Sequence, residues 1–190
     1  MKIAVDLDDV LADSMTVLIK FHNNTYNTAL KKSEFLSTRF WETWGGTRDE
    51  AIQKVYDFYK TSYFKDTQPI RNSISVIKKL KENNDLFIIT SRQYCIEKET
   101  INWVEKYFPG IFTKIFFTNH YSQSGDNRKK SDVCDRLNVD VLIEDSLDYA
   151  MECLKADRKI ILFKCPWNID GQIQKGIYPV NGWNEVMEII

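Results

Sequence analysis

The sequence lacks the features that define several large classes of protein. Its formal net charge is only −1, so there is no overall basic field to attract nucleic acid. No apolar stretch approaches the length that spans a bilayer, and acidic residues interrupt the position of a signal peptide's apolar region. The four cysteines form no CxxC pair and there are only 2 histidines, which argues against a zinc site and a disulfide framework. We therefore expect a cytoplasmic protein with reduced thiols, and no membrane or nucleic-acid polymer as partner.

Apolar sequence for a folded core is plentiful. The chain has 190 residues, of which 43% are hydrophobic, and this is enough for one sizeable core, or for a core with a small appended unit. Apolar runs typical of strands alternate with segments of helical spacing. Strands are predicted at 2–5, 85–90, 115–118, 140–144 and 159–163, and helices at 73–83, 93–108, 130–137 and 147–156. This alternation predicts an α/β fold, a three-layer Rossmann-like parallel sheet covered by helices on both faces.

Residues 14–68 interrupt the alternation and contain no clear strand. Met15 to Phe21 has helical spacing, and Thr47 to Glu50 is a capping-box pattern that opens a second helix. We predict a core domain of residues 1–13 and 69–190, with a helical cap domain of residues 14–68 inserted after the first strand. A cap over the strand ends would screen the site from water and help to choose the substrate.

The most informative motif follows the first strand, where Asp6, Asp8 and Asp9 lie within four residues. Carboxylates this close repel one another unless a cation neutralises them or one of them carries a proton. The motif therefore indicates a hard-cation site, most simply Mg²⁺, and it also places a carboxylate nucleophile beside a general acid. Taken alone, it is more often an ordinary acidic turn. Further polar pairs end two later strands, at 90–91 and 144–145, and ligands bind at that edge of a parallel sheet.

Four segments, taken in order, resemble the motifs of the haloacid dehalogenase (HAD) superfamily. They are Asp6–Val10, Ile88–Ser91, Lys130 at a helix start, and Ile143–Ser146. Within this superfamily the chain is similar to the 5′(3′)-deoxyribonucleotidase-like phosphatases, in which a helical cap also separates the first and second motifs. The segments 165–168 and 182–185 are similar to bacterial and viral members of that branch.

The resemblance implies an Mg²⁺-dependent phosphomonoesterase that acts on nucleoside monophosphates through an aspartyl-phosphate. Asp6 would be the nucleophile, and Asp8 would be the general acid and then the general base. Asp6, the backbone carbonyl of Asp8, and Asp145 would hold the metal. Lys130 would neutralise charge on the nucleophile and the phosphoryl group.

The resemblance also implies binding residues. Thr90, Ser91 and the backbone N–H groups of Asp9 and Val10 would bind phosphate, together with Lys130. The cap aromatics would surround a nucleobase; they are Phe40, Trp41 and Trp44. For the two tryptophans, packing inside the cap is an equally good interpretation.

Each of these residues has a plainer alternative. Thr90 and Ser91 could only cap a helix, and Lys129 is a rival for the role of Lys130. Glu144 is expected to act through a water or behind the ligands. Asp148 could be a further acid of the metal site, but a solvated helix position is favoured. Arg92 could contact the substrate, but a surface ion pair is favoured. Core packing is favoured for four further residues of the cap, and a structural or surface position for both histidines: Leu18, Phe21, Tyr56, Tyr59, His22 and His120.

Two positions depart from the family pattern. Asp9 stands where the nucleotidases often have glycine, and it adds negative charge near the phosphate unless it turns away to cap the next segment. Glu144-Asp145 replaces an Asp-Asp pair, which keeps the charge and changes the reach.

Two other functions stay open at this point. The same chemistry could serve a sugar phosphate or another small phosphoester. The chain could instead be a catalytically silent protein that binds phosphate or a partner, although the complete set of reactive residues argues against this.

Overall fold

The computed structural model describes residues 1–169 and 171–190. In this part of the chain, six parallel strands form one sheet in the order β3-β2-β1-β4-β5-β6. Their bounds are β1 Lys2–Val5, β2 Asp85–Thr90, β3 Lys114–Phe117, β4 Val141–Glu144, β5 Lys159–Phe163 and β6 Ile177–Val180. Because β1 lies between β2 and β4, the loops that follow these three strands meet at the carboxyl edge of the sheet.

Helices cover both faces of the sheet. The helices outside residues 14–68 are α5 Ser73–Lys81, α6 Glu97–Tyr107, α7 Lys130–Leu137, α8 Leu147–Cys153 and α9 Trp183–Ile189. Ile3 and Val5 of β1 pack on the side of α5, α6 and α9, whereas Ala4 packs on the side of α7 and α8. A strand buried on both faces is an unbroken apolar run, which is why the central strands were predictable. The predicted three-layer α/β fold is confirmed.

The edge of the sheet differs from the prediction. Neither β6 nor α9 was predicted, and the helix expected at 93–108 is split into a 3₁₀ turn at Tyr94–Ile96 followed by α6. β6 contains Pro179, which cannot donate a ladder hydrogen bond. This is tolerated because β6 is the outermost strand and pairs only with β5 among the described residues.

The segment between β1 and α5 is helical, as predicted. It contains α1 Ser14–Tyr26, a 3₁₀ turn at Lys32–Glu34, α2 Phe40–Trp44, α3 Arg48–Tyr59 and α4 Ser62–Lys65. The capping box that opens α3 is present, because the Thr47 Oγ1 accepts the Glu50 N–H at 3.2 Å and the Glu50 Oε2 accepts the Thr47 N–H at 2.7 Å.

This segment has an apolar cluster of its own, rich in aromatic side chains, that extends to Ile96 and Trp167 of the remainder of the chain. The boundaries of a separate cap domain at residues 14 and 68 stay a prediction. Across residues 1–169 and 171–190, every helix falls short of the length or hydropathy needed to cross a bilayer.

Candidate active site

A buried ion-pair cluster lies at the carboxyl edge of the sheet, where the structure brings together three of the four resembling motifs. The Lys130 Nζ lies 2.6 Å from the Asp6 Oδ1 and 2.7 Å from the Glu144 Oε2. Asp6 follows β1, Glu144 ends β4, and Lys130 opens α7, so three elements supply one cluster. Burial lowers the pKa of Lys130, but the charges of Asp6 and Glu144 outweigh it and hold that pKa well above its usual value. The lysine is therefore a permanent positive charge here.

Three acids lie close together here, and two of them, Asp6 and Glu144, share this single ammonium group. One carboxylate oxygen from each of Asp6, Glu144 and Asp145 lies within 4.8 Å of the others, and all three residues are buried. Burial raises the pKa of Asp6 to about 8 against the opposing charge of Lys130, and burial together with Glu144 raises the pKa of Asp145 well above its ordinary value. An all-oxygen donor set with excess negative charge suits a hard cation. The residues therefore fit a metal ion, and the acidic cluster is a candidate metal site.

Both oxygens of Glu144 are already engaged. Its Oε2 accepts a hydrogen bond from Lys130, and its Oε1 accepts the backbone N–H groups of Asp145 and Ser146, each at 3.2 Å. Glu144 thus orients the lysine and shapes the turn that carries Asp145. A position of Glu144 behind the metal ligands stays a prediction.

Asp145 is held by two residues to which the sequence analysis gave no role. The Trp167 Nε1 donates to the Asp145 Oδ2 at 2.8 Å, and the Asn168 Nδ2 donates to the Asp145 backbone carbonyl at 2.6 Å. Both donors lie in the loop after β5. The one signal available in the sequence was the likeness of segment 165–168 to the family.

The Asp8 carboxylate turns away from this cluster and pairs with Arg92. The Arg92 Nη2 lies 2.7 Å from the Asp8 Oδ1, the Arg92 Nε lies 3.0 Å from the Oδ2, and the Ser14 Oγ donates to the Oδ1. Burial raises the pKa of Asp8, but the charge and hydrogen bonds of Arg92 outweigh it, so the net pKa is below its usual value. The expectation of a surface ion pair for Arg92 is wrong, because the residue is only 5% exposed.

Asp9 also turns away from the acidic cluster. Its Oδ1 lies 2.7 Å from the Lys32 Nζ, and its Oδ2 accepts the Met15 N–H in the first turn of α1 at 3.1 Å. The extra acid is thus neutralised and caps the next helix. Its backbone N–H donates to the Ala12 carbonyl at 2.7 Å, so phosphate binding by that N–H, which stays a prediction, would have to compete with this bond.

The turn after β2 carries two hydroxyl groups, of which one is hydrogen-bonded and the other is not. The Thr90 Oγ1 accepts the Arg92 N–H at 3.2 Å and so shapes the turn. The Ser91 Oγ is buried and has no hydrogen-bond partner within the described residues. An unpaired buried hydroxyl costs free energy, and an anionic oxygen in the adjoining cleft would satisfy it. Lys129 and Asp148 are both exposed, as the plainer interpretations required.

Two clefts adjoin at Asp8, Thr38, Phe40 and Ser91. One, of about 140 Å³, contains the acidic cluster and Lys130. The other, of about 160 Å³, runs between the helical segment and the sheet. Its aromatic lining residues are Phe40, Trp41, Tyr56, Tyr59 and Tyr121. The arrangement can hold a small anion at one end and a flat apolar group at the other.

The predicted aromatic residues separate into two groups. Phe40 and Trp41 line the second cleft, whereas Trp44 stacks on His22 with ring centroids 4.7 Å apart. Leu18 and Phe21 are buried in the apolar cluster of the segment, as expected.

Tyr56 departs from the expectation of core packing because it lines the cleft, whereas Tyr59 lines the cleft and also packs against the apolar cluster of the segment, as expected. The Tyr59 hydroxyl donates to the Gln93 Oε1 at 2.8 Å. Both histidines are structural, His22 through its stack on Trp44 and His120 through a 2.7 Å hydrogen bond to the Tyr149 hydroxyl.

The strand order, the helical segment after β1 and the acids that follow β1 and β4 define a haloacid dehalogenase-like hydrolase fold. A haloacid dehalogenase-like hydrolase from Streptococcus pneumoniae has 15% sequence identity, a TM-score of 0.69, and coverage of 99% of this chain and 97% of its own. The HAD-hydrolase YfnB from Bacillus subtilis, solved bound to magnesium, has 16% identity and a TM-score of 0.62, and covers 99% of this chain and 97% of its own.

Sequence comparison identifies the family within that fold. The model described as "5′ nucleotidase, deoxy (Pyrimidine), cytosolic type C protein" matches residues 1–190, and the chain belongs to this family. A nucleotidase from Clostridium acetobutylicum is 25% identical over 191 residues, which cover 100% of this chain and 93% of that protein. The predicted class, a phosphoric monoester hydrolase of the HAD-like 5′-nucleotidase type, is thereby confirmed.

Proposed function

We propose that this protein removes the phosphate from a nucleoside monophosphate, with Mg²⁺ in the acidic cluster, and that it prefers deoxyribonucleotides, as the family description also suggests.

 The observation that carries the proposal is the buried Lys130–Asp6–Glu144 ion-pair cluster, which opens directly onto a cleft lined by aromatic rings. A phosphate group suits the ion-pair cluster with its buried ammonium group, and a nucleobase suits the aromatic cleft. Family membership supports the same assignment.

The first half of the reaction transfers the phosphoryl group to the protein. An oxygen of the Asp6 carboxylate attacks phosphorus, the bond from phosphorus to the ester oxygen breaks, and its electron pair stays on that oxygen. The negative charge of the bound phosphate raises the pKa of Asp8 against the effect of Arg92, so that Asp8 carries a proton in the complex. Asp8 gives this proton to the leaving oxygen, and the nucleoside departs as an alcohol. Lys130, 2.6 Å from Asp6, favours the ionised nucleophile against the effect of burial and offsets the charge of the incoming phosphate.

The second half releases phosphate. Asp8, now a carboxylate, takes a proton from water as that water attacks the aspartyl-phosphate, and the bond between phosphorus and Asp6 breaks. Inorganic phosphate leaves and both aspartates return to their starting forms. The Ser91 hydroxyl, buried and without a partner in the described residues, would donate to a phosphoryl oxygen throughout, and Thr90 would act beside it.

Asp6, Asp145 and the backbone carbonyl of Asp8 would hold the Mg²⁺, with Glu144 behind them. When bound, Mg²⁺ would reduce the repulsion between the carboxylates and a dianionic phosphate. The support for this assignment is the cluster of three buried acids, of which only Asp6 and Glu144 pair with the one ammonium group.

Phe40 and Trp41 are the proposed contacts to the base, with Tyr56 and Tyr121 on the same cleft. Stacking of a base on an aromatic ring typically contributes about 1–3 kcal/mol. Trp44 would contribute through the packing of the segment, because it stacks on His22. The family description names pyrimidine deoxynucleotides, and we propose that class as the preferred substrate.

A cytoplasmic location belongs to the same proposal. It is supported by four free cysteines and by the word "cytosolic" in the family description. The partner we propose is a small-molecule phosphomonoester.

The test is a panel of nucleoside 5′- and 3′-monophosphates, sugar phosphates and p-nitrophenyl phosphate, assayed for phosphate release with Mg²⁺ and with EDTA. We expect metal-dependent release, fastest on a nucleotide, and its loss in Asp6→Asn. Equal rates on ribose 5-phosphate and nucleotides would contradict the nucleotide assignment. Release no greater than that of Asp6→Asn on every compound would favour a protein that only binds phosphate.

A further inference from the structure

The side chain of Arg92 makes an ion pair whose two members differ in exposure. The Arg92 side chain is 4% exposed and that of Asp8 is 37% exposed. The guanidinium thus lies beneath the carboxylate, and the carboxylate faces the junction of the two clefts.

We propose that Arg92 is a positioning residue that fixes the Asp8 carboxyl group at the junction of the two clefts, where the ester oxygen of the substrate must lie. The inference rests on the proposed function, because it assigns Asp8 the proton transfers described above. It gives a role in the reaction to a residue that the sequence alone indicated to be a surface side chain.

The guanidinium is held from several directions. Its Nη1 donates to the Thr100 Oγ1 on α6 at 3.1 Å, and its central carbon lies 5.2 Å from the centre of the Phe64 ring on α4. The Arg92 backbone N–H is bonded to Thr90. Arg92 therefore presents Nε and Nη2 to Asp8 in one fixed orientation, and a planar fork of this kind constrains a carboxylate more than an ammonium group would.

The location of Asp8 makes this constraint relevant to the reaction. The phosphoryl group would sit in the cleft of Asp6 and Lys130, and the rest of the substrate in the aromatic cleft. The ester oxygen joins the two parts and so lies at the junction that Asp8 lines. A displacement of about 1 Å in a reacting group can cost about 10²-fold in rate.

The experiment compares two substrates whose leaving groups differ in their need for a proton. An alkoxide leaving from a nucleoside monophosphate needs the proton of Asp8, whereas p-nitrophenolate leaves without one. We expect Arg92→Met to lower kcat/KM by about 10²-fold for the nucleotide, within the range of general acid–base contributions, and by less than about tenfold for p-nitrophenyl phosphate. The matched control is Arg71→Met at an exposed arginine outside the site, which should change neither value.

If Arg92→Met lowers kcat/KM equally for the nucleotide and for p-nitrophenyl phosphate, or lowers it for neither, the inference is overturned. A wild-type protein without phosphatase activity would instead overturn the proposed function, so the two failures are distinguishable.

A second variant covers the case in which Arg92→Met does not fold. Thr100→Val removes the outer hydrogen bond to the Arg92 Nη1 and leaves the guanidinium in place. It should produce a smaller loss with the same dependence on the leaving group. If Thr100→Val lowers kcat/KM equally for both substrates, the inference also fails. In Arg92→Ala, added guanidinium ion should restore nucleotide turnover in part, and an absence of rescue in a folded variant would count against the inference.

Discussion

Replacing Lys130 by methionine tests the electrostatic design of the site most directly. Methionine keeps most of the length and volume of the side chain and removes the ammonium group. The Lys130 side chain is 1% exposed and is the shared partner of Asp6 and Glu144. Removing one partner of a buried ion pair typically destabilises a protein by about 3–5 kcal/mol, because a buried charge is left uncompensated.

That cost can be converted into a melting temperature. For a chain of this size, 1 kcal/mol shifts Tm by about 2–4 °C, so the metal-free variant should melt roughly 6–20 °C lower than the wild type. Mg²⁺ should recover part of this loss, because a cation among the three acids replaces the missing positive charge and binding stabilises the folded state.

The assay is thermal and urea-induced unfolding of Lys130→Met and wild type, each in EDTA and in Mg²⁺. Lys129→Met is the matched control, since Lys129 is the exposed neighbour in the sequence. A loss below about 1 kcal/mol in EDTA, within the range for an exposed ion pair, would refute the argument. So would a loss equal to that of Lys129→Met, or one that Mg²⁺ leaves unchanged.

Three further results are expected. Trp41→Ala should raise KM for a nucleotide by roughly 5- to 150-fold, because the base loses its stacking contact with the ring. KM for p-nitrophenyl phosphate should stay almost unchanged, and equal increases in both KM values would indicate collapse of the helical segment. Trp167→Phe removes the hydrogen bond to Asp145 and should weaken Mg²⁺ binding about 10- to 100-fold by calorimetry, and an unchanged affinity would argue against that support. In EDTA, the free energy of unfolding should fall as the pH rises from about 7 to about 8. In this range Asp6, whose pKa is raised to about 8, keeps in the folded state a proton that it has already lost in the unfolded state. This window lies above the titration of His22, whose lowered pKa acts in the opposite sense, and urea titrations that show a rise instead would contradict the prediction.

The central strands and the motif residues were predictable because their signals are local. β1, β2 and β4 are short apolar runs, each followed by polar residues, and parallel topology brings such ends together. β6 escaped prediction because Pro179 weakens the strand signal, and only its place at the edge of the sheet makes it acceptable.

The remaining site residues depend on contacts between distant parts of the chain. Arg92 and Asp8 are 84 positions apart, and the local sequence around either residue contains no pattern that indicates their contact. The same holds for Trp167 and Asp145, which are 22 positions apart and meet only when β4 and β5 pair. Tyr56 has the helical spacing of a core residue, and the fold turns it toward the cleft.

The backbone of Asp9 adopts a φ of 56°, in the left-handed region that glycine enters without penalty. An aspartate there costs about 1–2 kcal/mol of conformational energy, which its bonds to Lys32 and to the Met15 N–H offset. These bonds connect the turn of Asp6 to Asp9 with the first helix of the segment. A glycine at position 9 would lack the side chain that makes this connection. If the segment widens to admit a substrate, we expect the movement to come from residues further along the chain.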